Sequence, residues 1–189
     1  MPSTEVRQNV LTAAKRVVVK LGTQLLTRTA EDQAGVGIDT ACVRRIAAQV
    51  RKLRERGIDV TLVSSGAIGA GCVELGRTHR PSDLAEAQAV AAIGQRRLMS
   101  QWHQAFARQG IKVAQLLLNR SDFDDRTRFL NIRNCLAHLH ELGCVPILNE
   151  NDSVSVDEIR FGDNDVLAAV TCNAVRGDAL ILLTVVDGL

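Results

Sequence analysis

Val60-Thr61-Leu62-Val63-Ser64-Ser65-Gly66-Ala67-Ile68-Gly69-Ala70-Gly71 decides how this chain folds. The first four residues are apolar or β-branched and read as a buried strand. They run straight into Ser-Ser-Gly, a turn that leads from the strand into a helix. Strand, tight turn and helix in immediate succession are the unit from which parallel sheets are built.

The segments on either side repeat that alternation. Upstream, Val17-Val18-Val19, bounded by Arg16 and Lys20, reads as a second buried strand, with Gly22 free to turn after it. Between the two, Val43, Ile46, Ala47, Val50 and Leu53 recur at helical spacing from about Asp39 to Arg56, with Asp39 as N-cap and Gly57 at the C-terminal stop. Downstream, a long helical pattern covers 84–108, closed by Gly110, and a strand follows at 113–118. A further helix is predicted at 126–142, ended by Gly143, and then the strand Cys144-Val145-Pro146-Ile147-Leu148. Residues 153–161 alternate as in a small hairpin, a helix is expected at 165–175, and 180–183 reads as a last buried strand. The sequence has no internal repeat, low-complexity stretch or linker, so the expectation is one α/β domain with a mainly parallel sheet.

Composition narrows the function. Hydrophobic residues are 46% and charged residues 23% of the 189, ordinary for a soluble globular chain. At this length roughly 70% of the unfolded surface is buried on folding. Aromatics are only 3%, which argues against a stacking platform for single-stranded nucleic acid. The net charge of +2 gives no broad field for nucleic acid or membrane. The five cysteines (Cys42, Cys72, Cys135, Cys144 and Cys172) are odd in number and contain no C-x-x-C, so they read as reduced core thiols of a cytoplasmic protein. His138 and His140 lie two apart on a helix and face different ways, which makes no metal-ligand set. The stretch before Arg16 is polar and lacks the apolar core of a signal peptide. No apolar run approaches the roughly 18 residues of a membrane span.

Ligands of open parallel sheets bind beyond the carboxyl ends of the strands, and the chemically distinctive residues sit there. No Walker-type or dinucleotide glycine pattern is present. The Ser64-Ser65-Gly66 turn is either a nest of N–H groups for an anion or a tight turn for close helix packing. Lys20 is either a solvated strand end or a point charge for a transferring phosphoryl group. Two acidic-amide runs, Asn149-Glu150-Asn151-Asp152 and Gly162-Asp163-Asn164-Asp165, flank apolar segments. They suit a divalent cation, a zwitterionic substrate, or turn chemistry with Asp163 as a helix cap. No nucleophile–base pair is evident, which fits phosphoryl transfer to a carboxylate. That chemistry needs positioning and charge stabilisation, and a Glu-type acceptor, of pKa about 4.3, is already ionised at neutral pH.

Together these segments resemble the amino-acid kinase domain of the glutamate 5-kinases. The resemblance runs from about residue 16 to the end. It rests on Val17-Val-Val-Lys20-Leu-Gly22-Thr23, Val63-Ser-Ser65-Gly66-Ala-Ile, Ala91-Ala-Ile-Gly94-Gln95, Ala114-Gln115-Leu-Leu-Leu and Arg128-Phe-Leu-Asn131. Val145-Pro-Ile-Leu-Asn149-Glu150-Asn151-Asp152 and Phe161-Gly162-Asp163-Asn164-Asp165 complete it, and these last two runs separate the family from the related acetylglutamate, aspartate, carbamate and uridylate kinases.

The resemblance implies a three-layer αβα sandwich, with residues 1–15 as a polar extension and 16–189 as the kinase domain. It implies that Lys20 contacts the ATP phosphates and the transferring group, and that Asp165 organises the transfer. Ser65, Asp152 and Asn164 are implied to hold L-glutamate, and Thr184 and Val185 to begin the ATP site, with Mg²⁺ accompanying ATP. Homo-oligomerisation and inhibition by proline are implied in the same way.

Three departures stand out. Val185 replaces the family's Asp, and Gln24 its more usual Ser. A second, lysine-bearing glycine-rich segment is not found, and Asp187-Gly188 ought to open a turn that leads on, so the domain is expected to be incomplete at its C-terminal end. The alternatives are an inactive fragment, a regulatory amino-acid-binding module of the same fold, or a related carboxylate kinase.

Overall fold

The computed structural model describes residues 8–9, 12–28, 37–154 and 163–185. Its main sheet has five strands: β1 Arg16–Leu21, β4 Asp59–Ser64, β5 Lys112–Leu118, β6 Cys144–Glu150 and β7 Ala179–Leu183. They lie in the order β5-β6-β4-β1-β7, and every neighbouring pair is parallel. A two-stranded antiparallel ribbon, β2 Thr27–Arg28 with β3 Gly37–Ile38, lies apart from it. The helices are α1 Thr23–Leu26, α2 Thr40–Glu55, α3 Ala67–Glu74, α4 Leu84–Ala107, α5 Ser121–Asp124, α6 Arg126–Glu141 and α7 Asp163–Ala174.

Strand side chains alternate between faces, and the core divides accordingly. Val17, Val19, Leu21, Val60 and Leu62 pack with Val43 and Val50 of α2 and Leu98, Trp102 and Phe106 of α4. Val18, Val63 and Leu148 pack on the opposite face with Leu136 of α6 and Leu167 of α7. Helices therefore cover both faces, giving the expected αβα layers. A strand covered on both sides has no polar face to show, which is why these segments read as continuous apolar runs.

The helix boundaries follow the capping chemistry. Asp39 accepts from the N–H groups of Ala41 and Cys42 at the start of α2. Asp83 caps α4 through Glu86 N, and Asp125 caps α6 through Arg128 N. Gly57, Gly110 and Gly143 follow helices with positive φ, as a helix stop requires.

Several expectations need correcting. β6 runs on to Glu150, so the first acidic-amide run begins inside a strand. α7 begins at Asp163, so that residue is the first of the helix rather than a cap preceding it. Cys135 is exposed and not a core thiol, and only Cys42 and Cys72 are fully buried. The hairpin expected at 153–161 falls largely outside the described residues, as do Phe161, Gly162 and the Asp187-Gly188 turn. Among the described residues no helix is long and apolar enough to cross a membrane.

Candidate functional site

Parallel pairing brings the carboxyl ends of β1, β4, β6 and β7 to one edge of the sheet. An open cleft of about 370 Å³ lies there, and all seven residues expected at the site line it: Lys20, Ser65, Asp152, Asn164, Asp165, Thr184 and Val185.

Lys20 is the penultimate residue of β1 and reaches the first turn of α7, where its Nζ lies 2.6 Å from Asp165 Oδ1. The lysine side chain is only 14% exposed and the aspartate 48%. A largely buried ammonium needs such a partner, since an unpaired charge is costly away from water. The chain leaves β1 through Gly22, whose N–H donates to Leu183 O of β7 at 3.3 Å. That bond carries the pairing of β1 and β7 to the cleft floor.

The glycines after β4 differ in what they do. Ser65 N donates to Leu21 O at 3.2 Å. Gly66 sits at φ 108°, a left-handed conformation that a side chain would strain. It turns the chain so that the first residues of α3 line the cleft, with N–H groups that have no intrahelical acceptor. Gly69 and Gly71 serve packing instead. A Cβ on Gly71 would fall 2.0 Å from Val90 O, and one on Gly94 would fall 1.9 Å from Ala67 O. Backbone thus meets backbone where α3 crosses α4.

Amides from the two acidic-amide runs, Asn149 and Asn164, meet at the wall of the cleft. Asn149, 2% exposed, donates from Nδ2 to Gln95 Oε1 at 2.8 Å. Asn164 Nδ2 donates to Ser65 Oγ at 2.7 Å and to Asn149 Oδ1 at 3.3 Å. Asn164 Oδ1 and Gln95 Nε2 are buried and have no hydrogen-bond partner among the described residues.

Glu150, Asp152 and Asp165 place carboxylates on the same cleft, yet no group of three or more His, Cys, Asp or Glu side chains could hold a metal ion among the described residues. Thr184 and Val185 follow β7 at the rim, and Val185 is 57% exposed.

Three further residues lie at or beside the cleft although no individual role was assigned to them from the sequence. Asn149 and Gln95 stand in recognised runs, but only the structure joins them by a hydrogen bond. Arg80, on the loop between α3 and α4, also lines the cleft. Its setting, His79-Arg80-Pro81, carries no periodicity or spacing that marks it.

Comparison with known proteins agrees with this architecture. Residues 15–189 match the model of the amino acid kinase family. The chain is 49% identical over 182 residues to the glutamate 5-kinase of Cupriavidus metallidurans, covering 96% of this chain and 48% of that protein. It is 49% identical over 179 residues to the glutamate 5-kinase of Pseudomonas putida strain W619, covering 95% and 47%. The chain spans about half the length of the curated relatives it matches. With the sheet order, the cleft and the family match in agreement, this chain belongs to the amino acid kinase family.

Proposed function

We propose that this chain forms the amino-acid side, and part of the nucleotide side, of a glutamate 5-kinase. Such an enzyme moves the γ-phosphoryl group of ATP to the side-chain carboxylate of L-glutamate, giving L-glutamyl 5-phosphate for proline biosynthesis. The observation that carries the reading is the convergence of Lys20, Ser65, Asp152, Asn164 and Asp165 on one cleft at the carboxyl edge of a parallel sheet.

The chemistry suits that set. The acceptor carboxylate is already ionised at neutral pH, so no general base has to be found. What remains is to bring two anions together and to stabilise charge on the transferring group. Lys20 supplies the cation, and Asp165 holds its ammonium in place. The N–H groups after Gly66 offer further donors to phosphate or carboxylate. Asp152 is the partner for the substrate ammonium. Mg²⁺, when bound with ATP, would offset phosphate charge, and Glu150, Asp152 and Asp165 are the carboxylates that line the cleft. A cytoplasmic location, homo-oligomerisation and proline sensitivity belong to the same reading.

The test is glutamate- and Mg²⁺-dependent release of ADP, with L-aspartate and N-acetylglutamate as competing substrates. Asp152→Ala is expected to raise the glutamate KM about 10- to 100-fold, the worth of one charge-assisted hydrogen bond. Lys20→Ala is expected to lower kcat about 100-fold or more. An unchanged glutamate KM in Asp152→Ala, or a preference for aspartate, would refute the assignment. A second reading, an amino-acid-binding module without turnover, is favoured by the exposed apolar Val185 at the rim. Tight glutamate or proline binding with no affinity for ATP would select it.

A further inference from the structure

Behind the turn after β4, a line of hydrogen bonds runs out from the core with each direction fixed by chemistry. An indole N–H can only donate. Trp102, wholly buried on α4, donates from Nε1 to Ser64 Oγ at 3.0 Å. Ser64 is wholly buried too, and its hydroxyl, having accepted, sends its own proton to Ser65 O at 3.2 Å. The Ser65 carbonyl is therefore drawn toward the core.

That bond makes a choice the backbone leaves open. Gly66 sits at φ 108°, but glycine takes either sign of φ about equally. Turning the Ser65–Gly66 peptide over would bring φ to a negative value just as open to glycine. It would leave the bond from Ser65 N to Leu21 O untouched. Ser64 selects between the two. The peptide is trans, so its C=O and N–H point opposite ways. With the carbonyl held by a buried hydroxyl, the Gly66 N–H is directed away from the core, on a residue that lines the cleft. It has no acceptor among the described residues.

We propose that Trp102, acting through Ser64, is a positioning residue that keeps the Gly66 N–H turned to the cleft for an anionic oxygen. That oxygen belongs to a carboxylate or a phosphoryl group, the two anions of the kinase reading above, on which the inference rests. The coupling runs both ways. An anion accepting from Gly66 N polarises the peptide and makes Ser65 O a better acceptor. Ser64 Oγ in turn becomes a better acceptor for the indole, because chained hydrogen bonds reinforce one another. A bound anion is thus registered at a tryptophan that does not line the cleft.

Trp102 is the sole tryptophan of the sequence, so the full chain gives one indole N–H signal in ¹H–¹⁵N spectra. L-Glutamate and ATP with Mg²⁺ are titrated separately, with calorimetry measuring each affinity. A single N–H serves one oxygen, so one ligand is expected to move the indole proton downfield in step with its saturation. L-Glutamate does so if the oxygen is a carboxylate, and ATP if it is a phosphoryl oxygen. Ser64→Ala removes the middle of the line. It is expected to weaken that ligand about two- to tenfold, to change the other less, and to leave the indole signal unmoved at saturation. Trp102→Phe keeps a ring but no donor, and the same ligand is expected to weaken by a similar factor.

An indole signal that stays still or moves upfield while both ligands saturate the parent overturns the proposal. So does a ligand-induced move that survives Ser64→Ala, or equal losses for both ligands in that variant. Should Trp102→Phe fail to fold by circular dichroism, the parent and Ser64→Ala decide. Failure of the parent to bind either ligand would overturn the functional reading instead. Inorganic phosphate then supplies the anion, and an indole signal it does not move overturns the inference as well.

Discussion

Gly94→Ala puts the helix crossing beside the cleft to a direct test. Within an isolated helix the change is favourable, because alanine is about 1 kcal/mol better than glycine in a helix interior. Here the new Cβ would fall 1.9 Å from Ala67 O, 2.3 Å from Gly71 N and 2.8 Å from Gly71 Cα. Close carbon–oxygen contacts in proteins lie at about 3.3–3.6 Å, so the backbones must separate by more than 1 Å. None of the three atoms belongs to a side chain that could swing aside. Overpacking of this kind costs about 1–3 kcal/mol, and more where backbone must move. The upper end is expected here, leaving a net loss of about 2 kcal/mol after the propensity gain. For a chain of this size that lowers Tm by about 4–8 °C. The assay is urea or thermal unfolding followed by circular dichroism, with Ala92→Gly as the control. Ala92 is exposed on the same helix, and its substitution is expected to cost only the propensity term of about 1 kcal/mol. Should Gly94→Ala prove as stable as the parent or more so, α3 and α4 do not meet backbone to backbone, and the placement of Gln95 falls with that contact.

Two further predictions concern stability away from the cleft. His140 is hydrogen-bonded to the buried Thr61 hydroxyl at 2.9 Å, and burial pushes its imidazole below the usual histidine range, with Arg54 and Arg16 adding to the effect against Asp59. A pKa depressed in the folded state means that the unfolded chain takes up the proton first. This contribution is therefore complete above the unfolded value of about 6.5 and is lost as the pH falls below it. The urea midpoint is expected to drop between pH 7.5 and 5.5, and His140→Gln is expected to flatten that dependence; an unchanged slope in the variant would reject the role. Trp102, the sole tryptophan of the sequence, donates from Nε1 to the buried Ser64 Oγ at 3.0 Å. Trp102→Phe is expected to destabilise by about 1–3 kcal/mol, measured by circular dichroism, and an unaltered midpoint would show that this bond contributes nothing.

The layers of the fold were legible because burial on both faces leaves a plain signature. Val17–Val19 and Val60–Val63 contain no polar residue except Thr61, and Asp39, Gly57 and Gly143 mark helix ends by local chemistry. The short elements were not legible. α1 and α5 have four residues each, and the β2–β3 ribbon has two per strand. Too few side chains are present there to establish a period, and tertiary contacts decide the conformation. At the site, Lys20, Ser65 and Asp165 were marked by polar chemistry at strand ends and in an acidic-amide run. The end of β6 was misplaced because Asn149 and Glu150 are poor strand formers. Their strand conformation comes from pairing with Leu117 and Leu118 of β5. Gln95 lies one helical position beyond a packing glycine, and no local pattern tells a solvated glutamine from one that meets a partner 54 residues away.

The hydrogen-bonded chain from Gln95 through Asn149 and Asn164 to Ser65 has a bearing on how this protein comes to recognise anything. Its members come from α4, the turn after β4, the end of β6 and the start of α7, and its longest link joins residues 99 apart in sequence. No single supersecondary unit holds two of its bonds. A partly assembled chain, whichever segments it had ordered, would carry the right side chains without the bonds that join them. Ligand affinity should therefore arrive in one step, with the docking of the last element. A bound amino acid would then stabilise only the completed fold, by mass action. The site doubles as a checkpoint on its own assembly.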